Sequence, residues 1–138
     1  MSVEENKAIA VRHFKEVWEQ GRVELIDSYF CPDSTTRTAE QLRKDVLETH
    51  SMSKDFKVTI LDTIGEGDKV FMYTHIEITY LSAPETSATE PWPLLGKPVS
   101  WDAVEMMRFM DGKMVGWSGL YGWADMLVQS GVLAPKQG

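Results

Sequence analysis

With 138 residues, 21 acidic against 14 basic side chains and a net charge of −7, the chain has room for one domain and lacks the clustered Lys and Arg that a phosphate backbone demands. A hydrophobic content of 43%, with five Trp and five Phe, excludes a disordered chain and predicts a packed core. The lone cysteine, Cys31, excludes an internal disulfide and a cysteine-based metal cluster, fits a reducing compartment and reads as a small filler beside Phe30.

The N-terminal stretch MSVEENKAIA is polar and has no leader-like apolar run. No segment approaches the roughly 18 apolar residues of a membrane span. A cytoplasmic protein with neither a membrane nor a nucleic-acid partner is expected. Ser2 and Glu5 have capping-box spacing, so a first helix should begin at Val3. Ala10, Phe14, Val17 and Trp18 recur on one face of it, and Gly21 supplies a left-handed stop. A shorter helical stretch over Val23, Leu25, Ile26, Tyr29 and Phe30 should end before Pro32. Thr38 and Gln41 repeat the capping box ahead of a third helix, with Leu42, Val46 and Leu47 as its stripe, reaching about His50.

From Phe56 the period changes to two, as Phe56, Val58 and Ile60 alternate with Lys57 and Thr59 in a half-buried strand. Gly65 to Asp68 forms a hairpin turn into a long strand from Val70 to Tyr80. Residues 82–98 carry Pro84, Pro91, Pro93 and Pro98 and read as a surface loop, with Trp92 in a position to act as a lid or as a dimer contact. Strand sequence resumes from Val99 to Met110. Asp111-Gly112 is a type I′ turn signal, and Lys113 to Tyr121 returns as the partner strand. A short terminal helix follows over 123–133. One domain over 1–138 results: mainly helical to residue 52, a curved sheet over 55–122, then the last helix.

Helices first and an antiparallel sheet afterwards define an α+β class in which the helices cover one face of the sheet. A twisted sheet around a long helix leaves a concave space, the usual form of a small-molecule site. On the strand from Val70, the set Val70, Met72, Thr74, Ile76 and Ile78 is the core-facing one. Trp101, Ala103, Glu105, Met107 and Phe109 are the corresponding set on the next strand.

The motifs Glu5-Asn6-Lys7, His13-Phe14, Val17 to Gly21, Phe30-Cys31-Pro32-Asp33, Asp55 to Val58, Glu66 to Val70, Gly96 to Val99, Met107-Arg108-Phe109 and Asp111 to Met114 follow one another in order. In this the chain resembles the SnoaL-like polyketide cyclase family of the nuclear-transport-factor-2-like superfamily. The resemblance implies a cone-shaped, curved and mainly antiparallel sheet wrapped around N-terminal helices, a cystatin-like α+β barrel. It also implies a small hydrophobic ligand in the cone and a homodimer through the convex face of the sheet. Members include cyclases, isomerases, dehydratases and epoxide hydrolases that work by acid/base chemistry, so the implied function is a cofactor-free cyclase or isomerase for a polyketide- or terpenoid-like substrate.

The chain departs from the family at two places. Where the family carries an Asp near the end of the last strand, this sequence has Gly122, with Asp125 three residues on. Where the family often has a His after its Phe-Ala-Pro-Asp motif, there is Ser34 to Arg37. A non-catalytic binding or dimeric assembly module is therefore the alternative reading.

Glu105, a lone carboxyl among Trp and Met, is the leading catalytic residue, because burial disfavours its charged form and suits it to acid or base work. Its bland reading is a wall residue tied to Arg37 or His13. Tyr121 is the leading donor for an oxyanion. Phe14, Trp18, Met72, Thr74, Trp101, Met107, Trp117 and Ser118 are the expected ligand pocket, with Trp117, Tyr121 and Trp123 either at its mouth or in ordinary packing. His75 and Glu77 share one strand face but lack a third ligand, so a dimer face outweighs a metal site there. His13 and His50 are each weighed as a satisfied histidine. No metal or nucleotide cofactor is expected.

Overall fold

The computed structural model describes residues 2–32, 38–83 and 94–131. Helix α1 (Val3–Arg12) starts where the Ser2 hydroxyl accepts the Glu5 N–H at 3.1 Å. The expected single helix to Gly21 changes geometry at His13: residues His13–Glu19 form a π-helical segment. Its wider turn is stabilised by bonds such as Gln20 N–H to the Lys15 carbonyl, and it turns His13, Phe14 and Val17 into the core. Gly21 ends the segment with φ +71°.

The second expected helix is split into a 3₁₀ turn (Val23–Leu25) and α2 (Ile26–Tyr29). Helix α3 (Ala39–Ser51) begins with the complete capping box anticipated from Thr38 and Gln41.

Four antiparallel strands, β1 (Ser53–Glu66), β2 (Lys69–Tyr80), β3 (Pro98–Met110) and β4 (Lys113–Tyr121), pair in the order β1-β2-β3-β4. The sheet is curved and open, with β1 and β4 at its edges. Strand β1 starts three residues before the alternation at Phe56 because a bulge intervenes. Asp55 takes φ 55° and the register jumps between Lys54 and Lys57, so the residues before it are out of phase. A second irregularity between Ile60 and Asp62 shifts the phase again and leaves Leu61 and Ile64 exposed. The Asp111-Gly112 turn has φ of 50° and 77°, as a type I′ hairpin requires.

The inner faces of β2 and β3 are those expected. Val70, Met72, Ile76, Met107 and Phe109 join Phe14, Val17, Leu42, Val46 and Val58 in the main core. A second cluster of Ile78, Leu94, Val99 and Met126 includes the terminal helix α4 (Trp123–Gln129). Helix α4 stops at Gln129 with Ser130 as its C-cap, short of the expected end at 133. Residues 132–133, most of the 82–98 loop with Trp92, and Arg37 lie outside the described residues.

Candidate functional site

A cavity of about 650 Å³ lies between the helices and the inner face of the sheet. The π-helical segment supplies Phe14 and Trp18, β3 supplies Trp101 and Glu105, and β4 supplies Trp117 and Tyr121. Of the residues expected in the pocket, Phe14, Trp18, Trp101 and Trp117 stand in its wall. Met72, Thr74 and Met107 are fully buried in the core instead, with the Thr74 hydroxyl donating to the Ala103 carbonyl at 3.3 Å. Ser118 is exposed, because alternation along β4 turns it away from Trp117.

Glu105 is 4% exposed and reaches the cavity from the centre of the sheet. Its Oε2 accepts the Trp117 indole N–H at 2.6 Å and lies 3.5 Å from the Tyr121 hydroxyl, which donates to it. The second contact is at the outer limit of hydrogen bonding. Both expected catalytic residues thus meet at one oxygen.

Gly119 makes this approach possible. It pairs with Glu105 across the two strands, and a Cβ at that position would collide with Glu105 Oε2 and with the Tyr121 hydroxyl. A glycine in a strand often marks such a close approach.

His13 is fully buried, with its ring edge-on to Trp117 at 5.9 Å. His50 Nε2 bonds the Trp18 carbonyl at 2.6 Å and its ring packs on Phe56. Gly122 occupies the N-cap of α4, where a Cβ would meet the Asp102 carbonyl at 3.1 Å. Asp125 is exposed on that helix and does not line the cavity.

On the outer face, the Asp102 carboxylate accepts from His75 Nδ1 at 2.7 Å and from the Tyr73 hydroxyl at 2.8 Å. These two bonds, His75 first, hold Asp102 below the usual carboxylate range, and the same carboxylate pushes the Tyr73 phenol up. Among the described residues no group of three or more His, Cys, Asp or Glu is placed to hold a metal. No described helix is long and apolar enough to cross a membrane.

Sequence reasoning did not single out Asp45, Glu48 and Thr49 of α3 or its C-cap Met52, which line the cavity with Tyr80 and Leu94. A signal was present. Asp45 and Thr49 fall three and seven residues after Leu42, on the stripe shared with buried Val46, and polar side chains on a core-facing stripe mark a cavity. Burial pushes the Tyr80 phenol above its ordinary value.

A curved antiparallel sheet with helices on its concave side and a cavity between them defines the ketosteroid-isomerase-like class of α+β proteins, represented among similar structures by a protein with that fold from Catenulispora acidiphila. The family model for the SnoaL-like polyketide cyclases matches residues 8–130, and the chain belongs to that family.

AclR from Streptomyces galilaeus, a candidate hydroxylase, is similar over 99% of this chain and 91% of its own, with 21% identity and a TM-score of 0.79. A SnoaL-like polyketide cyclase from Agrobacterium tumefaciens is similar over 94% of this chain and 98% of its own, at 10% identity and a TM-score of 0.76. The Catenulispora protein, solved in complex with trimethylamine, covers 93% of this chain and 96% of its own, at 18% identity and a TM-score of 0.68. No curated protein matches at the sequence level.

Proposed function

We propose that this family member is a cofactor-free cyclase or isomerase acting by acid/base chemistry on a small hydrophobic, polyketide- or terpenoid-like substrate, with Glu105 as base and then acid and Tyr121 as donor. The observation that carries the reading is a buried carboxyl in the wall of an aromatic cavity, with a phenol and an indole N–H converging on one of its oxygens.

In the reaction Glu105 takes a proton from a carbon beside a carbonyl. The C–H electrons pass to the carbonyl oxygen, where the Tyr121 hydroxyl stabilises the enolate. In a cyclase the enolate carbon then attacks a second carbonyl of the same molecule, and the new alkoxide takes the proton back from Glu105. In an isomerase the proton returns to a different carbon. The aromatic walls hold the substrate chain folded, which converts carbon–carbon bond formation into a positioned intramolecular step.

The second reading is a binding module without chemistry. It is favoured by Gly122, which brings no side chain to the end of the last strand. The ring opening of 5-nitrobenzisoxazole, a neutral aromatic compound with an acidic C–H, separates the two. The enzyme reading expects catalysis above the buffer rate that falls by about 10²-fold or more in Glu105→Gln. Binding of the compound with no rate above buffer supports the module.

We also propose that a second copy of the chain covers the convex face of the sheet. Ile64, Phe71, Val104 and Leu120 project there exposed in two adjacent cross-strand rows, and exposed apolar side chains grouped in this way mark an interaction site.

A further inference from the structure

Along the inner face of β4, Trp117, Gly119 and Tyr121 follow one another at the two-residue period of a strand. Both aromatic side chains lean toward Glu105: the Trp117 indole N–H donates to its Oε2 at 2.6 Å, and the Tyr121 hydroxyl lies 3.5 Å from the same oxygen. The Tyr121 ring reaches this place by folding back along its own strand over Gly119. A Cβ at that glycine would stand 2.7 Å from the hydroxyl oxygen and 2.9 Å from the ring carbon that bears it. Tyr121 is the last residue of an edge strand and is 43% exposed, so burial alone does not select this rotamer over one directed to solvent.

Trp123 meets the ring two residues further on. Its indole stacks on the Tyr121 phenol with ring centroids 5.3 Å apart and planes within 16° of parallel. The contact is fixed by the way the chain leaves the sheet. Gly122 N–H donates to the Asp102 carbonyl at 2.7 Å, and the Gly122 carbonyl accepts the Met126 N–H at 3.3 Å. Met126 is buried in the second core cluster with Ile78, Leu94 and Val99. Helix α4 is thereby held to β3 at its start and to the core one turn later, and Trp123 is its first residue. Trp123 itself is 53% exposed and belongs to neither core cluster, so packing of the interior does not account for an indole there.

We propose that Trp123 is a positioning residue, whose indole holds the Tyr121 phenol over Gly119 with its hydroxyl turned to Glu105 at the cavity wall. The inference rests on the reading of Tyr121 as the donor to the substrate's oxyanion, and it gives Trp123 no contact with the reacting atoms. A stacked aromatic pair favours one arrangement by about two- to tenfold, which sets the size of the effect.

Exchange of the α-protons of 2-tetralone in D₂O reads the consequence for the rate. Trp123→Leu should slow exchange by about fivefold, and Trp123→Phe, which keeps an aromatic face, by no more than about twofold. The loss should depend on the phenol hydroxyl, so the double variant Tyr121→Phe/Trp123→Leu should lie within about twofold of Tyr121→Phe alone. A second measurement needs no turnover. With 3-fluorotyrosine in place of tyrosine, the Tyr121 fluorine resonance, assigned by its loss in Tyr121→Phe, should move on Glu105→Gln when Trp123 is present and stay within its linewidth in Trp123→Leu.

An unchanged rate in Trp123→Leu, or losses that multiply in the double variant, overturns the inference. So does an equal fluorine response to Glu105→Gln with and without the indole. A wild type that catalyses no exchange overturns the enzyme reading instead, and the fluorine response then decides by itself whether Trp123 places Tyr121.

Discussion

Glu105 and Gly119 face each other across β3 and β4, and the missing side chain of one gives the other its place beside Tyr121. Gly119→Ala should lower stability by about 1–3 kcal/mol in urea unfolding, because the methyl group drives into the carboxyl and the phenol. Gly116→Ala is the internal control. Its nearest neighbour is Arg108 Cβ at an ordinary 3.7 Å, so its cost should be limited to the Gly-to-Ala change within a strand.

Glu105 was legible because strict alternation assigns β3 to two faces, and one carboxyl stands among apolar residues on one of them. The depth of Met72, Thr74 and Met107 was not, since alternation sorts residues by face and says nothing of whether that face meets a cavity or a close-packed core.

Tyr80 gives a pH test at the same scale. Burial raises its folded-state value above the ordinary 10.0, so the folded protein retains a proton that the unfolded chain releases first. Its stabilising contribution is complete below the unfolded value and is lost as pH rises through the folded one. Thermal melting of the wild type should decline more steeply above pH 10.0 than that of Tyr80→Phe. Identical alkaline slopes would contradict this.

Among the elements, the edge strand β1 is tied to the helical layer by side chains. Glu19 Oε2 accepts the Val58 N–H at 2.6 Å and also the Lys15 ammonium at 3.1 Å, while Lys15 bonds the Val58 carbonyl. A pair of backbone groups on an open edge, otherwise a template for aggregation, is satisfied from within the chain. Glu19→Ala should cost about 1–2 kcal/mol by denaturant unfolding, and Glu19→Gln less, because the amide oxygen can still accept from Val58.

The π-helical geometry of His13–Glu19 escaped sequence reasoning, since i+4 and i+5 bonding place nearly the same residues inward over seven positions. The bulge at Asp55 escaped for a related reason: one extra residue breaks the two-residue period on which a strand is recognised. The capping box at Thr38 and the Asp111-Gly112 turn were legible because each is a local device written in adjacent residues.

For the whole molecule, the order of helices and strands was legible from periodicity, and the family from the succession of short motifs. The cavity's acidic lining was not, because Asp45, Glu48 and Glu105 come from elements that only folding brings to one space. Sheet curvature positions those elements, and the bulges in β1 contribute to that curvature.

The exposed apolar rows of the convex face lead to an assembly prediction. Sedimentation velocity should show a dimer, and Val104→Glu with Leu120→Glu should convert it to a monomer that keeps its far-UV spectrum. A monomeric wild type at high micromolar concentration would contradict the assignment of that face.

On the proposed function, Glu105 moves a proton to and from carbon inside the cavity. The most direct test is the exchange of the α-protons of 2-tetralone in D₂O, followed by NMR, with binding measured on the same sample by tryptophan fluorescence. Enzyme-dependent exchange is expected in the wild type. In Glu105→Gln, exchange should fall by about 10²-fold or more while the affinity changes by no more than a few-fold. Exchange at the wild-type rate in Glu105→Gln would contradict it.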